Sequence, residues 1–189
     1  MVSIQSRSVF PGLVFLAVCV VFISSYKPVP APGNGRMEIR VQDADTLPKY
    51  IRTSNGYTMV LRKGENVLES IKQLASKEKI IGASYTGFGF VEAEFGYFNN
   101  RTKVYDPRKV TGELASLTGS IAWNADTVSL HTHAIVTDST FLAYGGHLLG
   151  AVVGTGSVEL FVAPGDVPLG RKVEQPLGAN VLQLPAAKK

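Results

Sequence analysis

Three histidines are present in the chain, and all three fall in one short window, as His131-Thr-His133 and Gly145-Gly146-His147. Side chains alternate along a β-strand, so His131 and His133 share a face if the segment is extended. A paired-glycine turn would then let His147 swing in beside them. Three neutral imidazoles converging on one point form a ligand set for a divalent transition metal, zinc first, with one coordination position open. Zinc in such a site lowers the pKa of a bound water, and the open position admits a small ligand. Glu113 and Asp138 are the acids nearest in sequence that could accept the second ring N–H of a ligating histidine. Asp138 reads more simply as a turn residue.

The segments that must hold these residues read mostly as strands. In Ser129–Val136, Leu130, Thr132, Ala134 and Val136 fall on one face, and His131, His133 and Ile135 on the other. Glu113–Trp123 and Thr127–Val136 suggest a hairpin about Asn124-Ala125-Asp126. Further strands are expected at Met37–Gln42, Tyr57–Arg62, Ile80–Tyr85, Val91–Phe98, Lys103–Tyr105, Phe141–Tyr144, Ser157–Ala163 and Val181–Leu184. Gly87 and Gly89 allow a bend or bulge before Val91. One segment has helical period: Val67, Leu68, Ile71, Leu74 and Ala75 recur on one side up to Lys79, and Asn66 with Glu69 forms a capping pair. The expected fold is α+β, a largely antiparallel sheet packed against one main amphipathic helix.

The 189 residues are 45% hydrophobic and 18% charged, enough for one domain with its own core. Arg7 and the apolar run Leu13–Ile23 have the form of an export signal over residues 1–25. Cleavage is the first expectation and an uncleaved membrane anchor the second. Lipidation at Cys19 is the third, since Leu16-Ala17-Val18-Cys19 has the outline of a lipoprotein box. Residues 26–36 are a Pro/Gly-rich spacer, 37–184 the domain and 185–189 a tail. The expected location is exported, periplasmic or extracytoplasmic, with membrane contact through the N-terminal segment. Cys19 is the only cysteine, which leaves the domain without a disulfide.

Removing residues 1–25 takes away Arg7 and no acid, so the net charge falls from +4 to +3. Apart from Lys188-Lys189 the basic residues are scattered, with none of the clustering of a nucleic-acid surface. There is no Gly-x-Ser-x-Gly elbow and no Walker loop, and the glycines of Thr86–Phe90 lack the helix and third glycine of a dinucleotide loop.

Several ordered segments resemble the PPC (plants and prokaryotes conserved) domain: Leu61-Arg-Lys-Gly-Glu65, Gly82-Ala-Ser84, Gly112–Ser120, Leu130-His-Thr-His133, Gly145-Gly-His147 and Val158-Glu159. Arg171 and Leu182 fit its C-terminal strand. The resemblance implies a compact α+β domain, a homotrimer, and in prokaryotic members a metal site at the positions of His131, His133 and His147. In plant members the domain follows DNA-binding AT-hooks. This chain carries no Arg-Gly-Arg-Pro hook core, and nucleic acid is not an expected partner. The expected function is that of an exported metal-binding domain taking a small ligand or running a metal-dependent reaction. The alternative is a DNA-binding or protein-interaction module whose histidines are structural.

Overall fold

The computed structural model of the chain describes residues 47–186. The expected signal, the spacer and the strand at Met37–Gln42 lie outside the described residues. Eight strands and one helix follow in order: β1 (Tyr50–Thr53), β2 (Gly56–Arg62), α1 (Val67–Lys77), β3 (Ala83–Asn99), β4 (Val104–Asn124), β5 (Thr127–Thr137), β6 (Ala143–Pro164), β7 (Gly170–Glu174) and β8 (Ala179–Gln183). The architecture is a mostly antiparallel β-sheet with one short helix. Among the described residues no helix is long and apolar enough to cross a membrane.

Helix α1 forms where the apolar period is 3.6. It buries Val67, Ile71, Leu74 and Ala75, which join the core. The Asn66 side chain accepts the Glu69 N–H at 3.0 Å, satisfying one of the free donors of the first turn. The helix stops two residues before the expected Lys79, because Lys79 takes a left-handed φ of 54° and Ile80 N–H returns to the Ala75 carbonyl. Asn66→Ala is expected to lower unfolding free energy by about 0.5–2 kcal/mol with the fold retained, measurable by urea denaturation.

The sheet runs β1-β2-β6-β3-β4-β7-β8, and β5 bridges β4 to β6. Four strands therefore close on themselves: β3 pairs β4, β4 pairs β5, β5 pairs β6 and β6 pairs β3. The core fills the inside of this circuit and the space under α1, with Tyr85, Leu114, Leu117, Ile121, Val136 and Leu160 among its fully buried side chains. Strand β6 switches partners midway. Its first half pairs with β5, and after an irregularity between Val153 and Val158 its second half pairs with β2. Strand β3 slips register at the same level, between Gly87 and Val91, where the sequence suggests a bulge.

Several expected strands prove to be parts of longer ones. Lys103–Tyr105 and Glu113–Trp123 belong to β4, whose interior Pro107 looks like a break in the sequence. Pro107 is tolerated because it faces Gly96 of β3 on one side, while pairing with β5 starts only at Glu113. Phe141 is not in a strand. It lies in the Asp138–Leu142 turn with φ 64°, and β6 starts at Ala143. Ile80–Gly82 precedes β3 rather than opening it. Strand β8 covers most of the expected Val181–Leu184, at the far end of the sheet. Strands β1 and β7 lack enough alternating residues to be read in advance.

Candidate metal centre

Strand β5 displays the alternation that places its histidines. Val128, Thr132, Ala134 and Val136 are buried, while His131, His133 and Ile135 are exposed on the outer face. His147 enters by register, because β6 lies against β5 with His147 opposite His133. Residues directly opposite in an antiparallel ladder project from the same face, so all three imidazoles meet there. One ring nitrogen from each lies within 4.8 Å of the others. The Nε2 atoms of His131 and His133 are 3.3 Å apart. The ring pairs are tilted at 60°, 48° and 83°, so the nitrogens converge without the rings stacking on one another.

Gly145 and Gly146 act differently from the expected turn. Both lie within β6, paired with Ile135 and Ala134. Gly146 has φ 152°, a backbone state that side chains rarely adopt, and this lets β6 hold its pairing immediately before His147. The direction change comes earlier, at Asp138–Leu142.

Neither acid considered for the ring N–H groups reaches them. Glu113 is exposed and stands opposite Thr137, away from the histidine rows. Asp138 is a turn residue: its carboxylate accepts from Thr140 N–H, Thr140 Oγ1, Leu142 N–H and Tyr144 Oη. These donors hold its carboxyl below the usual aspartate range.

Three further side chains complete the site and were not legible as such. Tyr105 of β4 stacks on His147, with centroids 4.6 Å apart and planes 9° from parallel. The Arg108 guanidinium sits 4.8 Å from the Tyr144 ring centre, and Tyr144 in turn donates to Asp138. Arg171 of β7 is 5% exposed and donates to Ser120 Oγ at 2.6 Å, on the face that carries His131, since Ser120 stands opposite His131. No contiguous motif marks them. They arrive because Gly96 of β3 pairs with both Pro107 and His147, and because β7 docks beside the end of β4.

Burial, then the neighbouring His131, His133 and Arg171, pushes the His147 imidazole down to about 4. Burial, Arg171 and His133 likewise lower His131. Neutral imidazole is the form that ligates metal, so these shifts keep donor lone pairs available near neutral pH. In a tetrahedral zinc site with bonds of 2.0–2.1 Å, neighbouring nitrogens stand about 3.3–3.4 Å apart. The His131–His133 separation already matches that spacing.

Comparison with known proteins places the chain by sequence and fold. The Plants and Prokaryotes Conserved (PCC) domain matches residues 49–165, well over half of the chain. The chain belongs to this family. It is the family abbreviated PPC above, and the matched residues include the three histidines. A solved structure from Ralstonia eutropha JMP134, described as a candidate DNA-binding protein, is 49% identical with a TM-score of 0.71, covering 72% of this chain and 96% of that one. A candidate DNA-binding protein from Bacteroides thetaiotaomicron VPI-5482 is 27% identical with a TM-score of 0.65, covering 71% and 96%. A plant- and prokaryote-conserved (PPC) protein from Pyrococcus horikoshii is 25% identical with a TM-score of 0.62, covering 69% and 92%. Among curated proteins nothing matches significantly.

Proposed function

We propose that this PCC domain binds one divalent transition metal, zinc by preference, through His131, His133 and His147, and presents the remaining coordination position to a small ligand. The observation that carries the reading is convergence: three ring nitrogens from two strands lie within 4.8 Å of one another on one exposed face. An all-imidazole set suits zinc, copper, iron or nickel better than magnesium or calcium, which prefer oxygen. When bound, the metal supplies Lewis acidity. The chain's own residues hold His131 and His147 neutral, fix the His147 ring against Tyr105 and leave the cluster open to solvent on one side. Elemental analysis after reconstitution tests the reading, with about one ion per chain expected; an unchanged, metal-free protein would overturn it.

A second reading is DNA binding, favoured by the description of the 49%-identical Ralstonia relative as a candidate DNA-binding protein. Retention on duplex DNA that weakens steeply with salt would support it. The scattered basic residues predict no such retention at physiological ionic strength.

The proposal extends to assembly and place. A homotrimer would cover the exposed apolar side chains of the β3–β4 arm and the turn before β6, where Tyr97 is 79% and Phe141 88% exposed. Light scattering is expected to give three times the chain mass; a monomer at micromolar concentration would exclude the trimer. Export through the Arg7 and Leu13–Ile23 segment would place the domain outside the cytoplasm. A C-terminal reporter active only outside the cytoplasm should then respond, and a dark reporter would exclude export.

A further inference from the structure

The histidine cluster opens into a cavity of about 410 Å³, walled by Phe95, Phe98 and Tyr105 and edged by Arg108 and Asp106. That volume suits a small organic molecule. The charges around it are unequal. Asp106 accepts from Asn99 Nδ2 at 3.2 Å, and among the described residues no ion pair joins it to Arg108 at the rim. Among the described residues Arg171 has no carboxylate partner either. Arg171 is 5% exposed; among the described residues its Nε has no partner and its guanidinium's polar contacts are Ser120 Oγ and, at 3.5 Å, the Asn180 carbonyl. The ion pairs among the described residues join Lys49 to Glu65 and Lys72 to Glu69, and neither involves Arg171. A buried cation with no carboxylate is costly unless an anion completes it. Arg171 also lies beyond the matched family segment of residues 49–165.

We infer that the cavity is a binding site for a small organic carboxylate, its anionic end directed between the histidine cluster and Arg108 and its apolar body against Tyr105 and Phe98. This rests on the metal reading, since an all-histidine site brings no negative charge of its own. A divalent ion with Arg108 at the rim, and Arg171 behind Ser120, therefore leaves positive charge that no ion pair among the described residues offsets. A carboxylate fits better than a phosphate. Phosphate sites draw on backbone N–H groups at helix N-termini or glycine-rich nests, whereas the walls here are strands whose amides serve the ladders. Arg108 is the direct partner: it lines the cavity, and the Tyr144 ring holds it there. Arg171 acts from behind Ser120 as a positioning charge that favours anion over neutral ligand.

The test uses the full chain loaded with zinc, and metal content is measured on every sample. Benzoate, acetate, neutral benzamide and inorganic phosphate are titrated by calorimetry. Benzoate should bind at least about tenfold more tightly than benzamide. Arg108→Gln should weaken benzoate by about tenfold while metal content stays unchanged. Tyr105→Ala should weaken benzoate more than acetate. Benzamide binding as well as benzoate, phosphate outcompeting benzoate, or an Arg108→Gln variant with unaltered affinity would each overturn the carboxylate site. Those results at full metal loading leave the metal reading standing; a chain that takes up no metal fails that reading instead.

Discussion

Replacing His133 with alanine is expected to strip the divalent ion from the domain while leaving the fold intact. His133 is the hub of the cluster, 3.3 Å from His131 between Nε2 atoms and directly across the ladder from His147. Loss of an outer partner of a metal ligand typically costs 10–100-fold in affinity, so loss of a ligand should cost more than about 100-fold. The side chain lies on the outer face, and its removal opens no core cavity, so metal-free stability should stay within about 0.5 kcal/mol of the parent. Metal at a thousandfold excess over its dissociation constant stabilises a folded chain by about 4 kcal/mol, and this increment should vanish in the variant. Parallel melting curves with and without zinc would check it, and a variant that retains the zinc-dependent shift would refute the ligand assignment. Acid should act in the same direction. Unfolded histidine takes up a proton near 6.5, whereas folded His147 is held down to about 4. The unfolded state therefore binds more protons within that window. Stability of the metal-free chain should fall as pH drops from about 6.5 towards 4, and bound metal should leave as protons compete for the imidazoles.

Local patterns were legible wherever one neighbour decides them. The Asn66 cap and the Val67–Ala75 period announced the helix, and the alternation of Ser129–Val136 announced which face carries the histidines. The lengths of β4 and β6 were not legible, since Pro107 and the glycines at 154 and 156 look like breaks, when Pro107 pairs with β3 alone and the two glycines lie where β6 changes partner. The paired glycines before His147 suit a turn as well as an extended positive φ, and only the β5–β6 register decides between them. Tyr105, Arg108 and Arg171 escaped for a related reason. Their place at the site depends on which strands pair and in what register, and no single segment encodes that.

Gly119 exposes the link between packing and the metal site, and Gly119→Ala is expected to damage both. Gly119 stands opposite Thr132, between the two ladder positions that hold His131 and His133. A Cβ there would lie 2.5 Å from the Tyr85 ring carbon Cζ and its Oη, and 2.6 Å from the His131 carbonyl oxygen. Neither neighbour yields easily. Tyr85 is 1% exposed, and its hydroxyl is bonded to Thr132 Oγ1 at 2.5 Å; burial pushes that hydroxyl up to about 12. The His131 carbonyl belongs to the backbone that aims the ligand. Overpacking of this kind costs about 1–3 kcal/mol, or roughly 4–12 °C in Tm for a domain of this size. Relief requires β5 to shift away from β4, which pulls His131 and His133 from their spacing, so metal affinity should fall as well. Tyr85→Phe removes one of the clashing atoms. In the Gly119→Ala background it should therefore recover part of the lost stability, although alone it destabilises by leaving the buried Thr132 hydroxyl unpaired. Differential scanning calorimetry of the two single variants and the double variant measures this coupling. Strictly additive losses would show that Gly119 and Tyr85 do not share the contact, and full metal affinity in Gly119→Ala would show that the histidine spacing does not depend on the β4–β5 approach.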